Sequence, residues 1–273
     1  MKEYIENGWM VFDFPSLDPI LQAREELEKE LHRLLGTKTR LEDYREENDE
    51  RHTQTQIAMT RFFREQAYDF TTPLTAQFRE ILGPDIVKQA NPFLRIARPG
   101  KRQDNIGFHR DSFYGGTAYE LSFFVPFVDL GPGNTMSVIS GSHVESEEAY
   151  PTTQYISEDV TKGSAKHQMG FMYAPKVMDP SIEKRVKPVP LKIGQSLVFC
   201  LPIVHGCVVN AENSTRWSTD QRLMPTFAPV DMGTRQVAYE VVSESPVTQC
   251  VKKYEEANGK RSEVELGLCL SKN

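Results

Sequence analysis

Tyr119-Glu120-Leu121-Ser122-Phe123-Phe124-Val125-Pro126-Phe127 is the stretch whose reading decides the fold. Tyr119, Leu121, Phe123, Val125 and Phe127 recur at every second position, the period at which side chains of an extended chain share one face. Leu191, Ile193, Leu197, Phe199 and Leu201 repeat that pattern downstream, and Leu94 and Ile96 alternate with Arg95 and Ala97 upstream. Pro99-Gly100, Gly115-Gly116, Gly131-Pro132-Gly133 and Gly194 punctuate these runs. Short alternating segments separated by such turns predict a sandwich or barrel of antiparallel strands.

Upstream of this region the period is helical. Asp18-Pro19 offers a cap followed by proline at the first helical position, and Ile20, Leu27, Leu31 and Leu34 recur at helical spacing until Gly36. A second helix is expected over about Thr55 to Tyr68, and a third from Thr72-Pro73 to about Leu82, closed by Gly83. Their apolar stripes need a partner, and the outside of the sheet is the one available. The fold class expected is therefore mainly β with flanking helices (α+β), as a single domain over residues 1–273. The helical part covers about 1–85 and the β core about 86–250. The polar, irregular stretch 145–188 reads as a long insertion, of a length able to cover a site. From Glu255 onward the chain is charged and carries little signal.

A chain of 273 residues with 39% hydrophobic content can bury a sizeable core. A net charge of -6 argues against nucleic acid as partner, because binding phosphates calls for a basic stripe. The densest charge run, Glu42 to Arg51, mixes both signs and reads as a solvated face or a loop. Leu121 to Leu130 is the best membrane candidate, but Ser122, Pro126 and Asp129 interrupt it and it is too short. Met1-Lys2-Glu3-Tyr4 lacks the layout of a secretory signal. Cys200, Cys207, Cys250 and Cys269 form no C-x-x-C pair and read as reduced thiols. The expectation is a cytoplasmic protein with a small-molecule partner.

Phe108-His109-Arg110-Asp111 carries the first chemistry. In an extended segment His109 and Asp111 point to the same side, giving two of the three ligands of a 2-His-1-carboxylate triad. Alone, H-x-D suits a surface or capping role as well. Far downstream, His205 ends an alternating strand, and Arg216 follows eleven residues later (216 − 205 = 11). Arg216 and Ser218 share a strand face and together suit a carboxylate, through a charged fork and a hydroxyl. A buried arginine without an anion is costly, so a bound anion or an internal carboxylate is implied, Asp220 being the internal alternative.

These pieces together resemble the phytanoyl-CoA-hydroxylase-like branch of the iron(II)/2-oxoglutarate dioxygenases. That branch combines an H-x-D, a middle segment ending in Gly-Ser-His, and a distal histidine with arginine eleven residues on. Here they are His109-x-Asp111, Asn134 to Gly141-Ser142-His143, and His205 with Arg216, within roughly Asn91 to Phe227. The resemblance implies a double-stranded β-helix, a cupin-like jelly-roll, with iron in its mouth. It further implies that His109, Asp111 and His205 bind Fe(II), and that Arg216, assisted by Ser218, binds the distal carboxylate of 2-oxoglutarate. O2 and 2-oxoglutarate would be consumed, with release of succinate and CO2. Halogenating relatives replace the carboxylate by a small residue. Asp111 therefore favours hydroxylation or a related hydrogen abstraction, with desaturation, ring closure and epimerisation using the same ligands.

Other residues have two readings. His143 lies in the Gly-Ser-His turn and reads as structural. Arg95 suits either an anionic ligand or a salt bridge, and Arg222 shares the parity of Arg216 and either job. His32, His52 and His167 read as surface residues. Phe113, Tyr114 and the following glycines form either part of a substrate wall or a plain turn. The lip residues (Arg, Asp, Gln, Tyr) favour a compact polar substrate such as a sugar or amino-acid derivative. The alternative is a cupin-like metal- or ligand-binding protein without catalysis, against which the Arg216 clamp counts.

Overall fold

The computed structural model describes residues 1–114, 116–153, 175–229 and 238–259. In chain order the first elements are α1 (Lys2–Asn7), β1 (Trp9–Asp13), α2 (Asp18–Leu35), α3 (Asp49–Glu65) and α4 (Thr75–Leu82). Then come β2 (Ile86–Gln89), β3 (Phe93–Ala97), β4 (Leu121–Pro126), β5 (Ser137–Val138), α5 (Ile182–Arg185) and β6 (Lys187–Pro188). The chain continues through β7 (Gln195–Cys200), β8 (His205–Gly206), β9 (Arg216–Pro225), β10 (Tyr239–Ser243) and α6 (Pro246–Ala257).

The decisive run becomes β4, which pairs antiparallel with β7 on one side and β9 on the other. The larger sheet has the order β1-β7-β4-β9-β2-β10, with β3 also on β9, and a smaller sheet has the order β6-β5-β8. The fold is thus mainly antiparallel sheet with flanking helices, a jelly-roll. Tyr119 stands outside the strand. It is exposed, in a turn closed by the Glu120 N–H donating to the Thr117 carbonyl at 3.1 Å. All six residues of β4 are buried, not one face only. The helices explain one face, where Phe123 meets Phe78 of α4 edge to face at 5.1 Å between ring centres. A cavity explains the other, since Ser122 and Phe124 line it.

Helix α2 starts where proline in the first turn predicts, buries Ile20, Ala23, Leu27 and Leu31, and stops at Gly36, whose φ of 70° needs no Cβ. Helix α3 starts at Asp49, earlier than the hydrophobic period predicts, because the Asn48 side chain accepts from the Arg51 N–H at 3.0 Å. The charged run before it is not merely a solvated loop. Leu41 and Tyr44 are buried, and Arg45 donates to the Tyr44 carbonyl, Thr215 Oγ1 and the Asn213 carbonyl. Helix α6 is a further departure from the sequence reading: Ser245 caps it by accepting from the Thr248 N–H at 3.2 Å, and Pro246 opens it.

Of the stretch 145–188, residues 154–174 lie outside the described residues. Its described ends are anchored, with Tyr150 buried and β6 paired to β5. Cys200, Cys207 and Cys250 are free thiols, while Cys269 lies outside the described residues. No helix among the described residues is long and apolar enough to cross a membrane.

Candidate metal centre

His109 and His205 come from separate segments that meet as a two-residue antiparallel bridge, each N–H donating to the other's carbonyl at 2.9 and 3.0 Å. Gly206 permits that approach: a Cβ there would lie 2.9 Å from the Phe108 Cα. Asp111 does not continue an extended segment. It opens a 3-10 turn, Asp111–Tyr114, and the Asp111 N–H donates to the Leu201 carbonyl at 3.1 Å. The turn still delivers the carboxylate to the histidines. Asp111 Oδ1 lies 3.3 Å from His109 Nε2 and 3.8 Å from His205 Nε2.

The tautomers follow from the backbone. His109 Nδ1 faces the Gly107 carbonyl at 2.7 Å, and His205 Nδ1 faces the Ile203 carbonyl at 3.1 Å. A carbonyl only accepts, so both Nδ1 atoms carry a proton, and Nε2 is the atom each ring can offer a metal. Two imidazole nitrogens and a carboxylate oxygen, all buried, lie within 4.8 Å of one another. This donor set fits a divalent metal of the iron, nickel or zinc kind rather than calcium or magnesium, which take oxygen donors.

Electrostatics favour the binding form of two of the donors, His205 and Asp111. Burial, helped by the neighbouring His109, pushes the His205 imidazole down from 6.5 to about 4, so it is neutral at pH 7. Burial alone would raise Asp111, but the Arg222 guanidinium and the two histidines outweigh it and hold the carboxyl well below the usual range. Arg222 donates to Asp111 Oδ2 at 2.7 Å. The carboxylate is therefore oriented with one oxygen pinned and the other turned to the histidines.

The triad faces a cavity of about 610 Å³ counting its open mouth. Arg95, Arg216 and Arg222 line it. Arg216, Ser218, Asp220 and Arg222 share one face of β9, as their parity predicts. Asp220 pairs with Arg95 at 2.7 Å, so it is not the partner of Arg216. Arg216 is buried and meets no carboxylate among the described residues. It donates to Cys207 Sγ at 2.8 Å and Asn105 Oδ1 at 3.1 Å, reaches the Asn134 carbonyl at 3.5 Å, and leaves its Nε unpartnered. The Ser218 hydroxyl is buried and equally unpartnered.

No protein-family model matches the sequence, and no curated protein sequence matches it. Solved structures do. Apo ThoJ, a non-heme monooxygenase, aligns over 99% of this chain and 97% of its own with a TM-score of 0.56 at 14% identity. Its nickel complex aligns over 89% and 83%, with a TM-score of 0.53 at 16% identity. EctD from S. alaskensis in its apo form aligns over 84% and 77%, with a TM-score of 0.50 at 15% identity. The chain has their fold. The jelly-roll expected from the resemblance is met at that level.

Of the remaining histidines, His143 has the structural role read from its turn, with its ring bonded to the N-terminal segment. Its Nε2 takes the Ile5 carbonyl at 3.0 Å, and its ring fills the space a Cβ on Gly8 would need, so it holds the N-terminal segment. His52 is not a surface residue. It is buried, bonded to the Tyr44 hydroxyl at 3.2 Å and 3.5 Å from Asp104, and burial pushes it down to about 4. His32 is exposed, and His167 lies outside the described residues. Sequence reasoning passed over Asn105, Cys207 and the Gly107 carbonyl. A polar Asp104-Asn105 pair a few residues before His109 is the one signal that marks their loop.

Proposed function

We propose that the chain is an iron(II)/2-oxoglutarate-dependent dioxygenase, a single domain over residues 1–273, that oxidises a small polar metabolite and releases succinate and CO2. Hydroxylation is the simplest outcome for a triad with its carboxylate intact. The observation that carries the reading is the pairing of a buried His-Asp-His triad with a buried arginine that meets no carboxylate among the described residues, both facing one cavity. A ligand-binding cupin needs the first and has no use for the second. The nickel complex of ThoJ supports the reading, since a protein of the same fold takes a divalent metal.

In this reading His109 and His205 present Nε2, and Asp111 presents Oδ1, to one ion, with their second-sphere bonds preventing rotation. Arg222 holds the second carboxylate oxygen of Asp111, so an ion bound here would meet the other oxygen, Oδ1. Bound there, iron(II) supplies the activation of O2 coupled to oxidative decarboxylation of 2-oxoglutarate. Arg216 receives the distal carboxylate of the cosubstrate as a charge-assisted fork, with the Ser218 hydroxyl as a second donor. Phe124 and Phe199, on the cavity wall, limit water near the ion. The charged lining, Arg95 with Asp220 above all, suits a compact polar substrate such as a sugar or amino-acid derivative.

The test is an anaerobic titration of the metal-free protein with iron(II) and 2-oxoglutarate, followed by the weak visible absorption of the ternary complex. The band is expected in the wild type and absent in Asp111→Ala. Iron bound without any band would leave a ligand-binding cupin as the better account.

A further inference from the structure

The three arginines lining the cavity are held by different chemistry. Arg95 bonds the carboxylate of Asp220, and Arg222 bonds that of Asp111. Arg216 is held by an amide oxygen, a thiol sulfur and, more distantly, a backbone carbonyl. Its side chain is about as deeply buried as theirs, yet every partner among the described residues is uncharged. The strongest oriented oxygen among them belongs to Asn105, at 3.1 Å.

Asn105 is itself fixed. Its Nδ2 donates to the Lys101 carbonyl at 3.4 Å, which turns Oδ1 toward Arg216. The preceding residue, Asp104, is gripped by Arg98 through two side-chain bonds, both of 2.8 Å, and by the Arg98 N–H at 2.9 Å. Arg98 is anchored in turn by Asp49 of α3 at 2.9 Å and by the Glu46 carbonyl. A fully neutralised ion pair therefore pins the turn from which an uncharged amide reaches Arg216. On the far side of the same turn the Gly107 carbonyl orients His109.

We propose that Asn105 is the positioning residue of the anion subsite: it orients the Arg216 guanidinium with an uncharged acceptor, so that the positive charge stays available for the carboxylate end of the cosubstrate. The proposal rests on the dioxygenase reading above. An aspartate has the same size and would satisfy Arg216 better in the empty protein, but would compete with any incoming anion. Asparagine is thus the residue that orients without neutralising.

The test compares wild type, Asn105→Asp and Asn105→Ala, each loaded with iron(II) under anaerobic conditions and titrated calorimetrically with 2-oxoglutarate, with thermal unfolding of each metal-free protein. Asn105→Asp is expected to weaken 2-oxoglutarate binding at least tenfold while iron binding holds and thermal stability stays level or rises. Asn105→Ala is expected to weaken it only a few-fold. Equal binding by wild type and Asn105→Asp, or equal losses in the two variants, would overturn the assignment and leave the dioxygenase reading standing. Failure of the wild type to bind 2-oxoglutarate at all, with iron retained, would overturn both.

Discussion

Arg216 and Arg222 stand on the same face of one strand, six residues apart (222 − 216 = 6), and are used in opposite ways. Arg222 is spent inside the protein: its bond to Asp111 orients a metal ligand and keeps that ligand ionised. Arg216 is held by neutral acceptors and keeps its charge for something that enters. A strand face with period two can thus carry two identical side chains whose roles are set by what the neighbouring segments bring opposite them. The turn Asp111–Tyr114 brings a carboxylate to one, and the turn before His109 brings an amide to the other.

The largest expected effect comes from removing each charge in turn. Arg222→Met removes the guanidinium bonded to the buried Asp111, and breaking a buried pair in this way typically costs ~3–5 kcal/mol. Denaturant unfolding of the metal-free variant is expected to record a loss of that size. Arg216→Met breaks no ion pair among the described residues, so its metal-free stability should be level or higher. Its 2-oxoglutarate affinity should fall by about 2–5 kcal/mol, from roughly thirtyfold to several thousandfold. A stability loss in Arg216→Met as large as that in Arg222→Met would break the comparison, because it would mean the protein already compensates Arg216.

A smaller effect separates the Asp111–Arg222 pair from the Arg98–Asp104 pair. His52 faces Asp104 beside Arg98, with Tyr44 on its other nitrogen and with Asp49 and Glu46 nearby. Burial is the main reason its imidazole is pushed down from 6.5 to about 4. Between those values the unfolded chain binds a proton that the folded one refuses, so stability falls as pH drops from about 6.5 to about 4, by about 3 kcal/mol at most. His205, pushed down to about 4 in the same way, adds to this acid loss, whereas Asp111 contributes in the other sense: its lowered carboxyl keeps its stabilisation until the pH is far below the ordinary carboxylate range. Unfolding of the metal-free protein across this window should therefore show an acid loss that shrinks in His52→Gln. An unchanged slope in that variant would move the acid sensitivity to other groups.

How much of this was legible in the sequence depends on what each feature rests on. The strands were legible because burial on one face leaves an alternating record, as at Leu121, Phe123 and Val125. That same record hid the second buried face, since Ser122 and Phe124 face a cavity and obey no simple hydrophobic rule. His109 and Asp111 could be paired from their spacing, and His205 joined them only through the family resemblance. The structure brings the three together, with Asp111 delivered by a 3-10 turn and not by an extended segment. Asn105, Cys207 and the His52 cluster were not legible. Their roles come from contacts between segments far apart in sequence, such as Arg216 with Asn105 across 111 positions. Helix starts at Asn48 and Ser245 rest on single side-chain caps, which a hydrophobic period does not register.

The smallest effect tests the weakest member of the anion subsite. Ser218 sits midway between Arg216 and Asp220 on the β9 face, fully buried, with no hydrogen-bond partner for its hydroxyl among the described residues. A buried hydroxyl without a protein partner costs up to ~1–3 kcal/mol of desolvation. Ser218→Ala should therefore leave the metal-free protein as stable as wild type or slightly more stable. If the cosubstrate carboxylate extends from Arg216 to Ser218, the same variant loses one hydrogen bond to a charged group, ~1.5–3 kcal/mol. The 2-oxoglutarate affinity would then drop about ten- to a hundredfold, less than for Arg216→Met. Higher stability with unchanged affinity would instead make Ser218 a packing residue and confine the subsite to Arg216 and its neutral bracket. That result would sharpen the contrast between the two ends of the strand, since the whole anion subsite would then depend on one uncompensated guanidinium.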